Sequence, residues 1–315
     1  QRFAEAKLEK KILDAALLAT KVATDTSAAY INALIAFRSQ GVATENVMTA
    51  RELLFVVKER LAAGVGTQLE VNAAEAESIE QELLLEQAKL DTVSTEFALS
   101  ELLGSDGGIS LFTNTLTTAR PPDIPYGLNE LVELAEKSRL DFHARQIQVK
   151  IAKEDLRLER RRVLREMSVG ASIESSGEGT EVAPAINIEV PLFDQNQAQV
   201  AKAKYRVSQA QTELDAAKLK MQNEVRFALS QYGVARQSVE FFEEKLVPLR
   251  TENLSLAREG FSEGKTSLLF VIESQRKLLQ TRREYLARLQ TYLNSITTIE
   301  KAVGLSLCQI LRRLD

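Results

Sequence analysis

Apolar residues recur with a helical period along most of this chain and change once to the period of a strand. From Gln1 to Ala63 there is no proline and one glycine, Gly41, while Leu8, Ala15, Val22, Ala29 and Ala36 fall every seventh residue. That spacing predicts one helix of roughly 60 residues, about 95 Å long at 1.5 Å per residue. A second helical segment runs from Leu69 to Leu103. From about Asp194 to Ser262 two adjoining rows, Leu214, Met221, Ala228, Ala235 and Phe242 beside Val225, Tyr232, Val239 and Leu246, have the spacing of a coiled-coil seam. The segment 268–303 repeats it, with Leu279, Leu286 and Leu293 beside Leu289, Ile296 and Val303. Such rows mean core packing first. Function must come from how they are arranged.

The arrangement is repetitive. Arg60-Leu-Ala-Ala-Gly-Val-Gly-Thr-Gln-Leu-Glu70 interrupts the first pair of helices and Arg258-Glu-Gly-Phe-Ser-Glu-Gly-Lys-Thr-Ser-Leu268 the second. Setting Gly66 against Gly264 gives an offset of 198, and the long segments close alike in Leu102-Leu-Gly104 and Ala302-Val-Gly304. The chain reads as a tandem duplication of a long helical hairpin. Gly64 or Gly66 can end a helix in the left-handed conformation, and Thr67 with Glu70 makes a capping box for the next. Gly264 ends the corresponding helix, with Thr266 or Ser267 as the following cap. Pro248, inside the third long segment, removes a backbone donor and predicts a kink without a counterpart in the first copy.

Between the hairpins the pattern changes. Residues 104–125 hold three of the six prolines and three glycines and read as a loop or small side region, followed by helices at about 128–137 and 140–165. Then Val169, Ala171 and Ile173 alternate with Ser168, Gly170, Ser172 and Glu174, and Ile186, Ile188 and Val190 alternate with Asn187 and Glu189. Two strands of roughly ten residues have the length and alternation of outer-membrane barrel strands. A soluble hairpin that buries one apolar face fits the alternation equally well. The organisation expected is mainly α: a first hairpin over 1–103 with its tip near 64–67, a loop region over 104–127 and shorter helices over 128–167. A β-hairpin over 168–193, a second hairpin over 194–304 with its tip near 263–267, and a tail over 305–315 complete it.

Composition narrows the class. Forty basic against 44 acidic residues leave a net charge of −4, which gives no basic excess for nucleic acid. No run of about 18 apolar residues occurs, which excludes a transmembrane helix but not a transmembrane strand. His143 and Cys308 are the only residues of their kinds, too few for a His or Cys metal site or a Cys-His pair within one chain. With no phosphate-binding glycine loop and no GxSxG turn, the expectation is no enzyme, no cofactor and no resident metal.

Two heptad hairpins, a glycine turn at each tip, and a strand pair ending in Val190-Pro-Leu-Phe-Asp194 before the next long helix together resemble the TolC-like outer-membrane efflux proteins. Ala29-Tyr30 before the first tip and the Gly-x-x-x-x-x-Asn/Phe-x-x-Glu runs Gly66 to Glu75 and Gly264 to Glu273 carry the same resemblance, which covers nearly the whole chain. Asp194-Gln-Asn-Gln197 is similar to the form common in the heavy-metal-efflux branch. The resemblance implies a homotrimer in which each chain supplies two strand pairs to a twelve-stranded outer-membrane barrel and two helical hairpins to a periplasmic tunnel. One strand pair is missing here, and the internal repeat places Gln1 just after the point where it would end; a leader, two short helices and that pair are expected upstream. Arg165-Glu-Met-Ser168 departs from the family, which usually has a proline at this junction.

In such a duct the tips Gly64, Gly66, Thr67, Gln68, Leu69 and Gly264, Lys265, Thr266, Ser267, Leu268 match the periplasmic ends that meet an adaptor (membrane-fusion) protein, and through it an inner-membrane pump. Adaptor contact would untwist the coiled coils and open the tunnel. Under threefold symmetry Glu259, Glu263 and Glu273 would form acidic rings favouring cations, though solvated helix faces account for such residues as well. Arg157, Arg160, Arg161, Arg162 and Arg165 precede the strands, where they would meet outer-membrane lipid headgroups or simply pair with neighbouring acids. A soluble coiled-coil scaffold would explain the heptads but neither the alternating strands nor Pro191-Leu-Phe-Asp194. A periplasmic adaptor should carry one hairpin where this chain has two.

Overall fold

The computed structural model describes residues 2–105, 124–162, 167–176, 179–188 and 196–312, the strands by their backbone alone. The fold is mainly helical: α1 (Arg2–Ala62), α2 (Gln68–Leu103), α3 (Leu128–Ser138), α4 (Leu140–Arg161), β1 (Met167–Ser176), β2 (Gly179–Ile188), α5 (Gln197–Phe241), α6 (Val247–Ser262), α7 (Leu268–Val303) and α8 (Leu307–Arg312). None of the described helices is long and apolar enough to cross a membrane. The greater part of the proline- and glycine-rich loop and the Pro191-Leu-Phe-Asp194 signature lie outside the described residues.

The chain divides into two compact units, one of residues Gln1–Ala19 and Glu136–Asn223, the other of Thr20–Ala135 and Glu224–Asp315. In the first, α4 and α5 share a small core of Val149, Ala152 and Ala210, with Val207 and Leu214 against it. Cross-helix pairs flank that core: Arg145 with Glu213 at 2.8 Å, Arg206 with Asp155 at 3.0 Å and Lys150 with Glu9 at 3.2 Å. Asn196, in the left-handed region at φ 59°, reaches back to α4, its amide donating to the Glu159 backbone oxygen at 2.9 Å. Strands β1 and β2 pair antiparallel in a register that sets Val169 opposite Ile186 and Ile173 opposite Val182. Among the described residues they form a two-stranded sheet.

The second unit holds both tips, with α2, α6, α7 and the adjoining parts of α1 and α5. Most of the predicted rows are inside: Met221, which belongs to the first unit, and Val225, Ala228, Tyr232, Ala235 and Val239 of α5 are buried, as are Leu279, Leu286, Leu289, Ile296 and Val303 of α7, while Leu214, Phe242, Leu246 and Leu293 are partly buried. The row expected on α1 is different. Leu8 and Val22 are 63% and 48% exposed, while Ile31, Leu34, Val47, Ala50, Leu53 and Val57 are buried. A strict seven-residue row drifts about 20° per heptad around a straight helix, and α1 carries apolar residues on more than one face. Two rows were therefore available, and the regular spacing selected the outer one. Before Pro248 the chain makes a π-helical turn, Phe242–Leu246, in which the Val247 N–H reaches the Phe242 carbonyl. Pro248 then sits in the first turn of α6, directly after the π-helical turn.

Candidate functional site: the paired helical tips

The two tips are built from one backbone template. Gly64 and Gly264 take φ +76° and +73° at the ends of α1 and α6, and Gly104 and Gly304 take +64° and +78° at the ends of α2 and α7. The equivalent residues are thus 200 apart. Gly64, not Gly66, corresponds to Gly264, which corrects the offset of 198 suggested by the glycine spacing alone. Each tip closes as a Schellman motif: the Val65 N–H donates to the Arg60 carbonyl at 3.0 Å and the Gly64 N–H to Leu61 at 2.9 Å, matched by Lys265 to Gly260 at 2.7 Å and Gly264 to Phe261 at 3.0 Å.

Gly66 is required for another reason. A Cβ there would stand 2.9 Å from the Leu61 nitrogen and 3.1 Å from the Arg60 carbonyl carbon. At the other tip the tight position has moved: a Cβ on Gly260 would stand 2.8 Å from Thr266 Cγ2. Positions 60 and 66 press together in both copies, and each copy resolves the crowding with one glycine, on the loop in the first tip and on the helix in the second. Thr266 uses its room to donate a hydrogen bond to the Ala257 carbonyl at 3.1 Å.

The caps differ too. Thr67 and Glu70 form a complete capping box, the Glu70 N–H donating to Thr67 Oγ1 at 3.2 Å and the Thr67 N–H to Glu70 Oε2 at 2.8 Å. Ser267 accepts from the Phe270 N–H at 3.4 Å, and Phe270 supplies no reciprocal bond. Gln68 donates to Asn72 Oδ1 at 2.9 Å. Leu69 is exposed at 78%, whereas Leu268 is buried in the core at 4%. A docking role for Leu268 is therefore corrected; the exposed apolar positions after the second tip are Leu269 and Phe270.

Both tips rest on one apolar cluster. Leu53, Val57, Val71 and Ala74 of the first hairpin pack with Leu254, Ala257, Phe261, Leu268, Val271, Ile272 and Leu278 of the second, and Leu54 and Leu61 lie against them. Positions 54 and 254, 57 and 257, 61 and 261, and 71 and 271 recur at the 200-residue offset. Arg60 bridges the copies, its guanidinium carbon 4.6 Å from the Phe261 ring centroid and Nη1 3.4 Å from the Phe261 carbonyl.

Of the three acidic residues near the second tip, two have cationic neighbours. Lys265 lies 2.5 Å from Glu263, and Lys277 lies 2.7 Å from Glu273. The hydrogen bond and charge of Lys277 hold the Glu273 carboxyl below its ordinary range. Glu259 is exposed and has no ion-pair partner among the described residues. A ring made from these positions would carry about one uncompensated negative charge per chain.

Periodicity did not reveal a polar clasp between α2 and α7. Glu77 is almost fully buried, accepts from Arg276 Nε at 2.7 Å and from Gln81 Nε2 at 2.8 Å, while Arg276 also reaches Glu80 at 2.6 Å. A glutamate at a seam position with an arginine on the facing helix was the available signal. The carboxylate in turn raises the Arg276 pKa. His143 Nε2 lies 3.0 Å from the Lys137 carbonyl, and among the described residues no three His, Cys, Asp or Glu side chains gather into a metal site.

Residues 131–305, more than half of the chain, match the family model described as "Outer membrane efflux protein". The cobalt-zinc-cadmium resistance protein CzcC of Cupriavidus metallidurans is 26% identical over 285 residues, covering 87% of this chain and 66% of that protein. The nickel-cobalt-cadmium resistance protein NccC of Alcaligenes xylosoxydans is 28% identical over 220 residues, covering 68% of this chain and 48% of that protein. The chain thus spans less than two thirds of the length of these relatives. The crystal structure of CusC superposes with a TM-score of 0.81 at 18% identity, covering 97% of this chain and 74% of that one, which shows a shared fold.

Proposed function

The chain belongs to the outer membrane efflux protein family, and from that premise we propose that it is the exit duct of a tripartite efflux system, passively conducting substrate across the periplasm and outer membrane. The family match over residues 131–305 carries the reading. Three copies line one conduit. Supporting this, α2 leaves Ile79, Leu83, Leu90, Val93 and Phe97 exposed, and α5 leaves Phe227, Val234 and Phe241 exposed. These are helical rows left exposed among the described residues, each spanning about 20 Å or more. Copies of the chain packed around an axis would cover them.

The strands β1 and β2 contribute to the outer-membrane barrel, their backbone register setting Val169 opposite Ile186 and Ile173 opposite Val182. The residues around Gly64 and Gly264 receive the adaptor protein, offering Leu69, Val65, Leu269 and Phe270 as exposed apolar contacts beside Gln68, Lys265 and the Arg60 bridge. The inner-membrane pump acts through that adaptor. The cargo is a divalent transition-metal cation, a reading supported by the printed resistance of CzcC and NccC and by Asp194-Gln-Asn-Gln197. The metal is cargo, so the duct needs a polar passage rather than a high-affinity site.

The test is a gene deletion in the source cell, scored by intracellular cobalt, zinc, cadmium and nickel after metal challenge. The expected result is accumulation of at least one of these metals, reversed by the wild-type gene and not by Gly264→Asp. Unchanged metal content together with unchanged tolerance to organic toxins would overturn the proposal.

A further inference from the structure

A pocket of about 260 Å³ opens between α1, α6 and α7, within the second unit and behind the tips. Its lining is unusual for a coiled-coil interior. Asn46 and Gln275 are 6% and 3% exposed, yet Asn46 Nδ2 and both polar atoms of Gln275 are buried without a hydrogen-bond partner. Buried amides are almost always satisfied, because an unpaired donor or acceptor loses its water without replacement. Two in one pocket therefore point to an occupant.

Charge narrows what that occupant is. Arg282 and Arg258 line the same pocket. Arg282 Nη1 lies 2.8 Å from Glu45, whose carboxylate is largely in solvent. Arg258 is half-buried and has no ion-pair partner among the described residues. The lining thus carries two cations against one anion, with two amide NH2 groups as further donors and Gln275 Oε1 as an unmet acceptor. A metal cation is repelled by this set, and an apolar ligand leaves every amide unsatisfied. Water satisfies the amides but leaves the guanidinium uncompensated.

We infer that this pocket binds a small, singly charged oxyanion bearing its own O–H donor, of the dihydrogen phosphate or hydrogen carbonate class. Its oxygens accept from Arg258, Asn46 and Gln275, and its O–H donates to Gln275 Oε1. Because the pocket joins α1 to α6 and α7, an occupant ties the first hairpin to the second. The inference does not depend on the export reading.

The test is isothermal titration of the full protein in detergent with sodium phosphate and sodium hydrogen carbonate, against sodium chloride at matched ionic strength. The expected result is saturable binding of one oxyanion per chain, no binding of chloride, and a loss of at least about tenfold in affinity in Arg258→Gln and in Gln275→Leu. Gln275→Leu separates binding from folding: an apolar residue at a buried seam position keeps or raises the melting temperature, so lost binding in that variant is not unfolding. No saturable heat from either oxyanion up to about 10 mM, or a more stable Gln275→Leu that binds with wild-type affinity, would overturn the inference.

Discussion

The two hairpins share a backbone and differ in what they bury. On the second, α5 and α7 turn large apolar residues inward, with Met221, Val225, Tyr232, Leu286, Tyr292 and Ile299 enclosed. On the first, α2 does nearly the reverse: Glu77, Ser78, Gln81, Thr92 and Ser100 are buried while Leu83, Leu90 and Phe97 face outward. The second hairpin is therefore stabilised chiefly within the chain. The first combines the apolar interior of α1 with polar pairs buried on α2, and leaves apolar side chains of α2 exposed. A duplicated fold thus carries a large apolar interior on one copy and a partly polar one on the other, while α2 and α5 each keep an exposed apolar row.

The largest effect expected from this contrast lies in the seams. Leu286→Ala, in the second hairpin, should cost about 3 kcal/mol by cavity formation. Leu83→Ala, in the first, should change the unfolding free energy of the isolated chain by less than about 0.5 kcal/mol while weakening self-association. Urea unfolding followed by circular dichroism reads the first quantity and sedimentation the second. Equal costs at the two sites would erase the distinction.

Next comes the buried clasp. Arg276→Ala leaves the Glu77 carboxylate without its cation and should cost about 2–3 kcal/mol, reduced from a fully enclosed pair because the guanidinium is half exposed. Glu80→Gln, at the exposed end of the same guanidinium, should cost under about 1 kcal/mol.

The tips offer a sharper comparison. Gly66→Thr should cost about 2 kcal/mol by forcing a Cβ against the α1 backbone. Combining it with Arg60→Gly, which transplants the Gly260 and Thr266 arrangement, should recover part of that loss, a coupling of about 1 kcal/mol in a double-mutant cycle. At the caps, Thr67→Ala should cost about 1 kcal/mol and Ser267→Ala about half as much, since only the first belongs to a reciprocal box.

The smallest effect is a pH dependence in the first unit. Burial pushes the Asp141 carboxyl up, but the hydrogen bond and charge of Arg139 and the Phe142 N–H outweigh it and hold the pKa below its ordinary value. With the folded pKa lowered, the stabilisation is present above about pH 4 and lost as pH falls through the depressed value. Asp141→Asn should thus destabilise by less than about 1 kcal/mol at pH 7, given the half-exposed side chain, and by nothing measurable near pH 2. A constant difference across that range would contradict the assignment.

The helical architecture was legible because α5 and α7 obey the heptad rule with large side chains, so periodicity and burial agree. It was less legible on α1, where Leu8 and Val22 keep the spacing but not the burial. The tip glycines were visible as residues, but choosing between Gly64 and Gly66 required φ, since one is held by its left-handed backbone and the other by a close approach. Leu268 could not be separated from Leu269 by composition; one residue of rotation, about 100°, turns a core side chain into a surface one. The Glu77 clasp and the unsatisfied Asn46 and Gln275 join residues far apart in sequence, which no local pattern reports.

Assembly in the outer membrane is the most direct consequence of the proposed exit duct. Membranes from cells expressing the intact gene, separated by density and run on an unboiled gel, should place the protein in the outer-membrane fraction at about three times the mass of its boiled band. A monomer in the soluble or inner-membrane fraction would contradict the duct and leave the exposed rows of α2 and α5 without the partner proposed for them.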